Sequence, residues 1–254
     1  MKKYILSLAF VAILIDGFSW GATGHRITGY IAEKHLNKKA KREIERILKG
    51  QSMAIASTWM DEIRSDSTYD YTADWHWVTI PDGMTYDQSE KNKNGDAIQT
   101  IERLIQELKS RKLSEKQEAE SIRMLIHLVG DIHQPLHVGR GNDRGGNNIR
   151  IMWFRVDSNL HRVWDENIID DTKLSYTEFA ESLDKPSAQQ IQEWTRVGVR
   201  DWANESVRLR DAVYSYKTER IGYEYSYHNL RHVRLRLLQA GVRLGAILNE
   251  IYGA

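Results

Sequence analysis

The stretch Ser114-Glu-Lys-Gln-Glu-Ala-Glu-Ser-Ile-Arg-Met-Leu-Ile-His-Leu-Val-Gly-Asp-Ile-His-Gln-Pro-Leu-His137 decides how this chain folds. Ile122, Leu125, Ile126 and Val129 recur at the period of a helix with one apolar face. Ser114 can cap its start, Gln117 stands three residues on to answer the cap, and Pro135 cannot continue it. The spacing predicts a helix over 114–131. His127 and Asp131 are four residues apart, so both rise from one face of it.

Outward from this helix the pattern stays helical. Apolar residues at helical spacing predict segments over 24–36, with Ile27, Ile31 and Tyr30 inward, then over 38–48 and 54–63. A further segment covers 94–108, with Ile98, Ile101, Leu104, Ile105 and Leu108 on one side. Two long patterns, 191–216 and 228–251, finish the chain. Their arginines are interspersed, so most are expected to solvate exposed faces, with a basic groove for nucleic acid as the alternative. The period changes only over 141–163. There the glycine-rich Gly141–Gly146 leads into Ile149–Val156, then Asp157-Ser-Asn159 and Leu160-His-Arg-Val163, a small β-hairpin among helices. Proline occurs only at 81, 135 and 186, and no low-complexity linker divides the chain. The fold class expected is mostly α: one helical domain over 20–254 with a small hairpin.

Residues 1–19 stand apart. Lys2 and Lys3 precede an apolar run from Tyr4 to Ile15, and Gly17-Phe-Ser19 supplies small residues before a cut. This is the pattern of a signal peptide cleaved after Ser19, and it implies export to the periplasm or medium. Asp16 ends the apolar run well short of a membrane span. Lys and Arg total 36 against 35 Asp and Glu. Removing Lys2, Lys3 and Asp16 makes the two equal, so no overall positive field exists to grip a long duplex. Cysteine is absent, which excludes disulfides and thiolate metal sites. Any metal must be held by histidine and carboxylate.

Those residues are present in a pattern. His161 and Asp165 repeat the four-residue spacing of His127 and Asp131, and His137 follows across the Pro135 turn. Upstream stand Asp61, in Trp59-Met-Asp-Glu-Ile-Arg64, and His76, in Asp74-Trp-His-Trp77. Zinc accepts imidazole nitrogen and carboxylate oxygen. A single such pair is ordinary core packing, but several together favour shared metals over many separate buried ion pairs, whose desolvation is costly. Two readings stay open on the residues alone: a multi-zinc centre, or scattered structural pairs.

The ordered set resembles a known family, the single-strand-specific zinc nucleases of the S-one/P-one type, related in fold to zinc phospholipase C. The resemblance covers nearly the whole chain after residue 19. It runs from Trp20-Gly-Ala-Thr-Gly-His25 through Trp59-Met-Asp61, Trp75-His76, His127-Leu-Val-Gly-Asp131-Ile-His-Gln-Pro-Leu-His137 and Gly145-Gly-Asn147 to Asn159-Leu-His161-Arg-Val-Trp-Asp165. It implies three zinc ions. Asp61, His76, His127 and Asp131 would hold one, and His137, His161 and Asp165 a second. The third would be held by His25, a bridging Asp131, and the α-amino nitrogen and carbonyl oxygen of Trp20. Only a cut before Trp20 creates that amine, whose reference pKa of about 7.7–8.0 lets zinc displace its proton near neutrality.

The same resemblance implies hydrolysis of single-stranded DNA and RNA to 5′-phosphoryl products, with 3′-mononucleotides as further substrates and no obligate protein partner. Asp61, Arg64 and Asn147 would serve catalysis. Arg64 and Asn147 would also contact substrate phosphate, and Trp77 would stack on a base. Turn geometry for Asn147, a surface ion pair for Arg64 and core packing for Trp77 are the competing roles. Trp75, Trp77, Trp153 and Trp164 together can form a hydrophobic wall around the metals. His133 offers indirect support to the ligands or an ordinary core contact, and His35, His228 and His232 stay unassigned. The alternatives for the whole chain are a zinc phospholipase C, against which Asp165 and Gly145-Gly-Asn147 argue, and an exported helical interaction protein with structural zinc.

Overall fold

The computed structural model describes residues 20–183 and 185–253; the expected signal peptide, residues 1–19, lies outside them. Helices α1 (Ala22–Lys34), α2 (Lys38–Ile47), α3 (Met53–Ala56) and α4 (Trp59–Glu62) open the fold. The helix expected over 54–63 is thus two short ones. Ser57 Oγ donates back to the Ala54 carbonyl at 2.7 Å and Thr58 Oγ1 to that of Ile55 at 3.2 Å. Hydroxyls that compete in this way with the helical ladder favour a break. Successive 3₁₀ turns over Ser67–His76 then lead into β1 (Val78–Thr79).

Helix α5 (Ala97–Ser110) precedes α6 (Glu115–His133), where Ser114 and Gln117 form the expected capping box. After the Pro135 turn, β2 (Val138–Gly139) pairs in parallel with β1, which draws the segments carrying His76 and His137 together. The hairpin is β3 (Arg150–Trp153) and β4 (Val156–Asn159), antiparallel, with Arg150 opposite Asn159. It ends there, and Leu160–Arg162, expected within it, is helical because the Asn159 side chain caps a new turn by accepting from the Arg162 N–H at 2.8 Å. Helices α7 (Leu160–Arg162), α8 (Ile168–Asp170) and α9 (Tyr176–Glu181) follow, with a π-helical turn at Val163–Asn167 between the first two. The pattern over 191–216 also divides, into α10 (Ala188–Thr195), α11 (Val199–Arg208) and α12 (Arg210–Val213). Gly198 begins α11, where Asp201 accepts from its backbone N–H at 3.2 Å and the chain changes direction. Strand β5 (Arg220–Ile221) joins β3 in parallel, a pairing the sequence did not announce. Helix α13 (Tyr223–Tyr252) closes the fold.

Helices α6 and α13 are the axes of the core. Val233, Leu237, Val242, Leu244 and Leu248 of α13 are buried, as are Ile122, Leu125, Ile126 and Val129 of α6. Helix α1 lies close along α13, because a Cβ on Gly241 would stand only 2.5 Å from Ile31. That contact fixes His25, which faces the other side of α1, against α6. Among the described residues no helix is long and apolar enough to cross a membrane.

Candidate metal centre

Asp131 is the hub. It sits in the last turn of α6, wholly buried, with imidazoles arriving from separate elements. His25 Nε2 of α1 lies 3.3 Å from one carboxylate oxygen, while His127 Nε2 at 3.3 Å and His76 Nδ1 at 3.0 Å face the other. Asp61 of α4 completes this side, 3.8 Å from His127 Nε2. The rings of His25 and His127 are stacked, with centroids 3.8 Å apart. Beyond the Pro135 turn, Asp165 stands 3.0 Å from His161 Nε2 and 3.7 Å from His137 Nε2.

Three groups of ligand atoms therefore form, each lying within 4.8 Å: His25, His127 and Asp131; Asp61, His76 and His127; His137, His161 and Asp165. The family resemblance implies the same residues but shares Asp131 between two sets. Here His127 is the residue common to two groups, and Asp131 falls in one, with His25 and His127, although its second oxygen also stands 3.0 Å from His76 Nδ1. Trp20 is also buried, its indole donating to the Gly130 carbonyl at 2.8 Å, and the next residue's N–H is tied to the Asp165 carbonyl at 3.0 Å.

The inward nitrogens are fixed from behind. Nδ1 of His127 donates to the Ser57 carbonyl at 2.7 Å, Nδ1 of His137 to that of His76 at 2.6 Å, and Nδ1 of His161 to that of Gly145 at 2.7 Å. Each bond leaves the Nε2 lone pair facing the site. The break between α3 and α4 now has a purpose, since it frees the Ser57 carbonyl for His127. Gln134 holds Asp165 through a 2.7 Å bond to Oδ1.

The arrangement fits zinc. Nε2 of His25, His137 and His161 and Oδ1 of Asp131 are buried without a hydrogen bond among the described residues. Buried polar atoms left in that way are costly unless something binds them. Ligands about 2.0–2.1 Å from one tetrahedral ion lie about 3.4 Å apart, and the closest imidazole–carboxylate separations here run from 3.0 to 3.8 Å. The charges agree. Burial opposes a proton on His127, yet Asp131 and Asp61 draw its pKa up to about 9. Burial would raise Asp131, but the imidazoles of His127 and His137 hold it well below the usual carboxylate range. Both directions say that the pocket stabilises positive charge. Burial pushes His25 and His76 down, which keeps them as neutral donors.

A cleft of about 410 Å³ opens beside the His137 and His161 rings, with Arg64, Trp77, Asn147 and Arg144 on its walls. Arg64 lies 3.6 Å from Asp61. Asn147 Nδ2 donates to the Arg144 carbonyl at 3.0 Å, so it braces the turn whose Gly145 carbonyl orients His161. Of the four tryptophans expected around the metals, only Trp77 lines the cleft. Trp153 and Trp164 are buried against Asp171 and Tyr225, and Trp75 is covered by Arg103.

One set of residues escaped the sequence reading. Arg236 and Arg243 of α13, expected with the solvated arginines, are each only 1% exposed. Glu205 accepts from both, and Arg243 forms a fork with bonds of 2.6 and 2.7 Å. Arg236 Nε donates to the His133 carbonyl at 3.0 Å, and Arg243 Nη1 to His133 Nε2 at 2.9 Å. Their seven-residue spacing, on the face that carries Val233 and Leu237, was the available signal.

A buried constellation of imidazoles and carboxylates, set in a helical frame and opening to an arginine-walled cleft, defines a metal-dependent hydrolase. The family model described as S1/P1 Nuclease matches residues 20–253, and the chain belongs to that family. It is a zinc-dependent phosphodiesterase that acts as a nuclease. Among its relatives, Endonuclease 2 of Arabidopsis thaliana is 29% identical over 277 residues, covering 97% of this chain and 94% of that protein. Endonuclease 1 of the same plant is 30% identical over 283 residues, covering 98% and 92%. Nuclease P1 of Penicillium citrinum is 26% identical over 271 residues, covering 92% and 98%.

Proposed function

We propose that this chain is an exported endonuclease for single-stranded DNA and RNA that also hydrolyses 3′-mononucleotides, with three zinc ions in the centre around Asp131. The observation that carries the reading is the convergence of eight His and Asp side chains, from separate elements, into three adjoining groups of ligand atoms.

Asp61, His76, His127 and Asp131 would hold the first ion, and His137, His161 and Asp165 the second. His25, Asp131 and the backbone amine and carbonyl of Trp20 would hold the third. Zinc bound there would lower the pKa of water toward neutrality and offset charge on a leaving oxygen. Arg64, beside Asp61 on the cleft wall, contacts the phosphate oxygens and offsets the charge that builds on them. Asn147 keeps the Gly145 turn in place behind His161, and Trp77 offers its face to a base. Single strands are favoured because the metal groups are reached through a cleft bordered by His137 and His161, which a flexible backbone enters more readily than a stiff duplex.

The signal-peptide pattern over 1–19 supports export, and processing before Trp20 completes the third ligand set. Protein beginning at Trp20 is expected to contain three zinc ions per chain and to cleave denatured DNA faster than duplex DNA. Protein beginning at Gly21 should lose one ion and most activity. Equal zinc content in the two, or exclusive hydrolysis of phosphatidylcholine by the Trp20 form, would reject the assignment.

A further inference from the structure

One wall of the cleft is the turn over 141–148. It uses left-handed backbone at four positions: Gly141 with φ 99°, Arg144 with φ 53°, Gly145 with φ 61° and Gly146 with φ 83°. In that region a Cβ crowds the backbone, so glycine fits with least strain. Three of the four residues are indeed glycine. The fourth is an exposed arginine that lines the same cleft as Arg64, His137 and His161. Backbone strain of this kind persists where the surroundings enforce it, and it gathers at ligand contacts.

The surroundings here do enforce it. The Arg144 carbonyl accepts from the Asn147 backbone N–H at 3.3 Å and from its side chain at 3.0 Å. Asp143 is pinned by the Tyr214 hydroxyl at 2.7 Å, and the Gly145 carbonyl is fastened to His161 Nδ1 at 2.7 Å. The base of the Arg144 side chain is therefore fixed on both sides, to Tyr214 on one and to His161 on the other. Arg64 enters the cleft beside Asp61, from the other metal group, so the two guanidinium-bearing residues reach it from different elements.

We propose that Arg144 binds the phosphate adjacent to the scissile one, so that it favours polynucleotide over substrates carrying a single phosphate. The assignment rests on the nuclease reading above. A planar guanidinium is suited to phosphate oxygens, and each such contact on a single strand adds about 0.7 to the dependence of log affinity on log salt.

The test uses zinc-loaded processed protein on two substrates: dithymidine monophosphate, whose only phosphate is the one cleaved, and a thymidine octanucleotide. Arg144→Gln is expected to raise KM for the octanucleotide about tenfold, the effect of one lost charge-assisted hydrogen bond. Its kcat/KM for the dinucleoside should stay within about twofold, and the salt slope on the octanucleotide should fall by about 0.7. Arg144→Lys should keep most of the salt slope. Arg144→Gly relieves the backbone, so it should melt no lower than the parent yet show the same rise in octanucleotide KM. An unchanged octanucleotide KM in the Gln and Gly variants, or equal losses on both substrates, would overturn the proposal. If the parent protein hydrolyses neither substrate, the nuclease reading fails first and takes this inference with it.

Discussion

Gly130 lacks a side chain because His25 occupies the space one would need. A Cβ there would stand 2.9 Å from His25 Nδ1 and 3.2 Å from its Cε1, and the ring is wholly buried and stacked on His127 with centroids 3.8 Å apart. It can move only by disturbing that stack. Gly130→Ala is therefore expected to cost about 1–3 kcal/mol through overpacking and to release one zinc ion, the one proposed for His25. Metal analysis beside a denaturant melt checks this, and full zinc content in a folded variant would detach His25 from the centre. The His-x-x-x-Asp pairs were visible as residue spacing, since side chains four apart share a helix face whatever surrounds them. Gly130 was not, because its constraint comes from α1, more than a hundred residues away in sequence.

At the scale of elements, the end of α6 matters most, because Asp131, Gln134 and His137 all leave from it. The Glu205, Arg236 and Arg243 network grips that end through the carbonyl and ring of His133, and Ser206 Oγ holds the Ile132 carbonyl at 2.9 Å. Removing one member strands the others in the core. Glu205→Gln is expected to destabilise the protein by about 3 kcal/mol, measured by urea unfolding at neutral pH. Burial would raise the Glu205 carboxyl, but Arg243 and Arg236 hold it below its ordinary value of 4.5. The folded pKa is thus lower than the unfolded one. Its stabilisation is present above pH 4.5 and is lost as pH falls through the folded value. The difference in stability between parent and Glu205→Gln should accordingly shrink on acidification below that point. A constant difference would show that the charge of Glu205 is not what matters. Arg236 and Arg243 read as surface arginines because charge predicts solvent unless a partner is known, and the partner lies on α11.

For the molecule as a whole, the metal centre joins α1, α4, α6 and the segments before and after the hairpin, so bound zinc ties the fold across its length. Ions that bind only the folded state stabilise it by mass action, about 4 kcal/mol at a thousandfold excess over Kd. Chelation is expected to abolish hydrolysis and to lower Tm by about 10 °C, with both restored by added zinc. A Tm indifferent to chelator would mean that the groups fold without metal. The sequence by itself determined the helical class, the hairpin and the ligand pairs on α6 and after β4, because periodicity and four-residue spacing are local properties of the chain. It could not determine that α3 and α4 break at Ser57 to release a carbonyl, that α10 and α11 part at Gly198, or that β5 joins β3. Nor could it show that His127 serves two groups, that Arg236 and Arg243 are interior, or that Arg144 faces the cleft. Those outcomes depend on which distant backbone atoms and charges arrive alongside, and only tertiary packing brings them there.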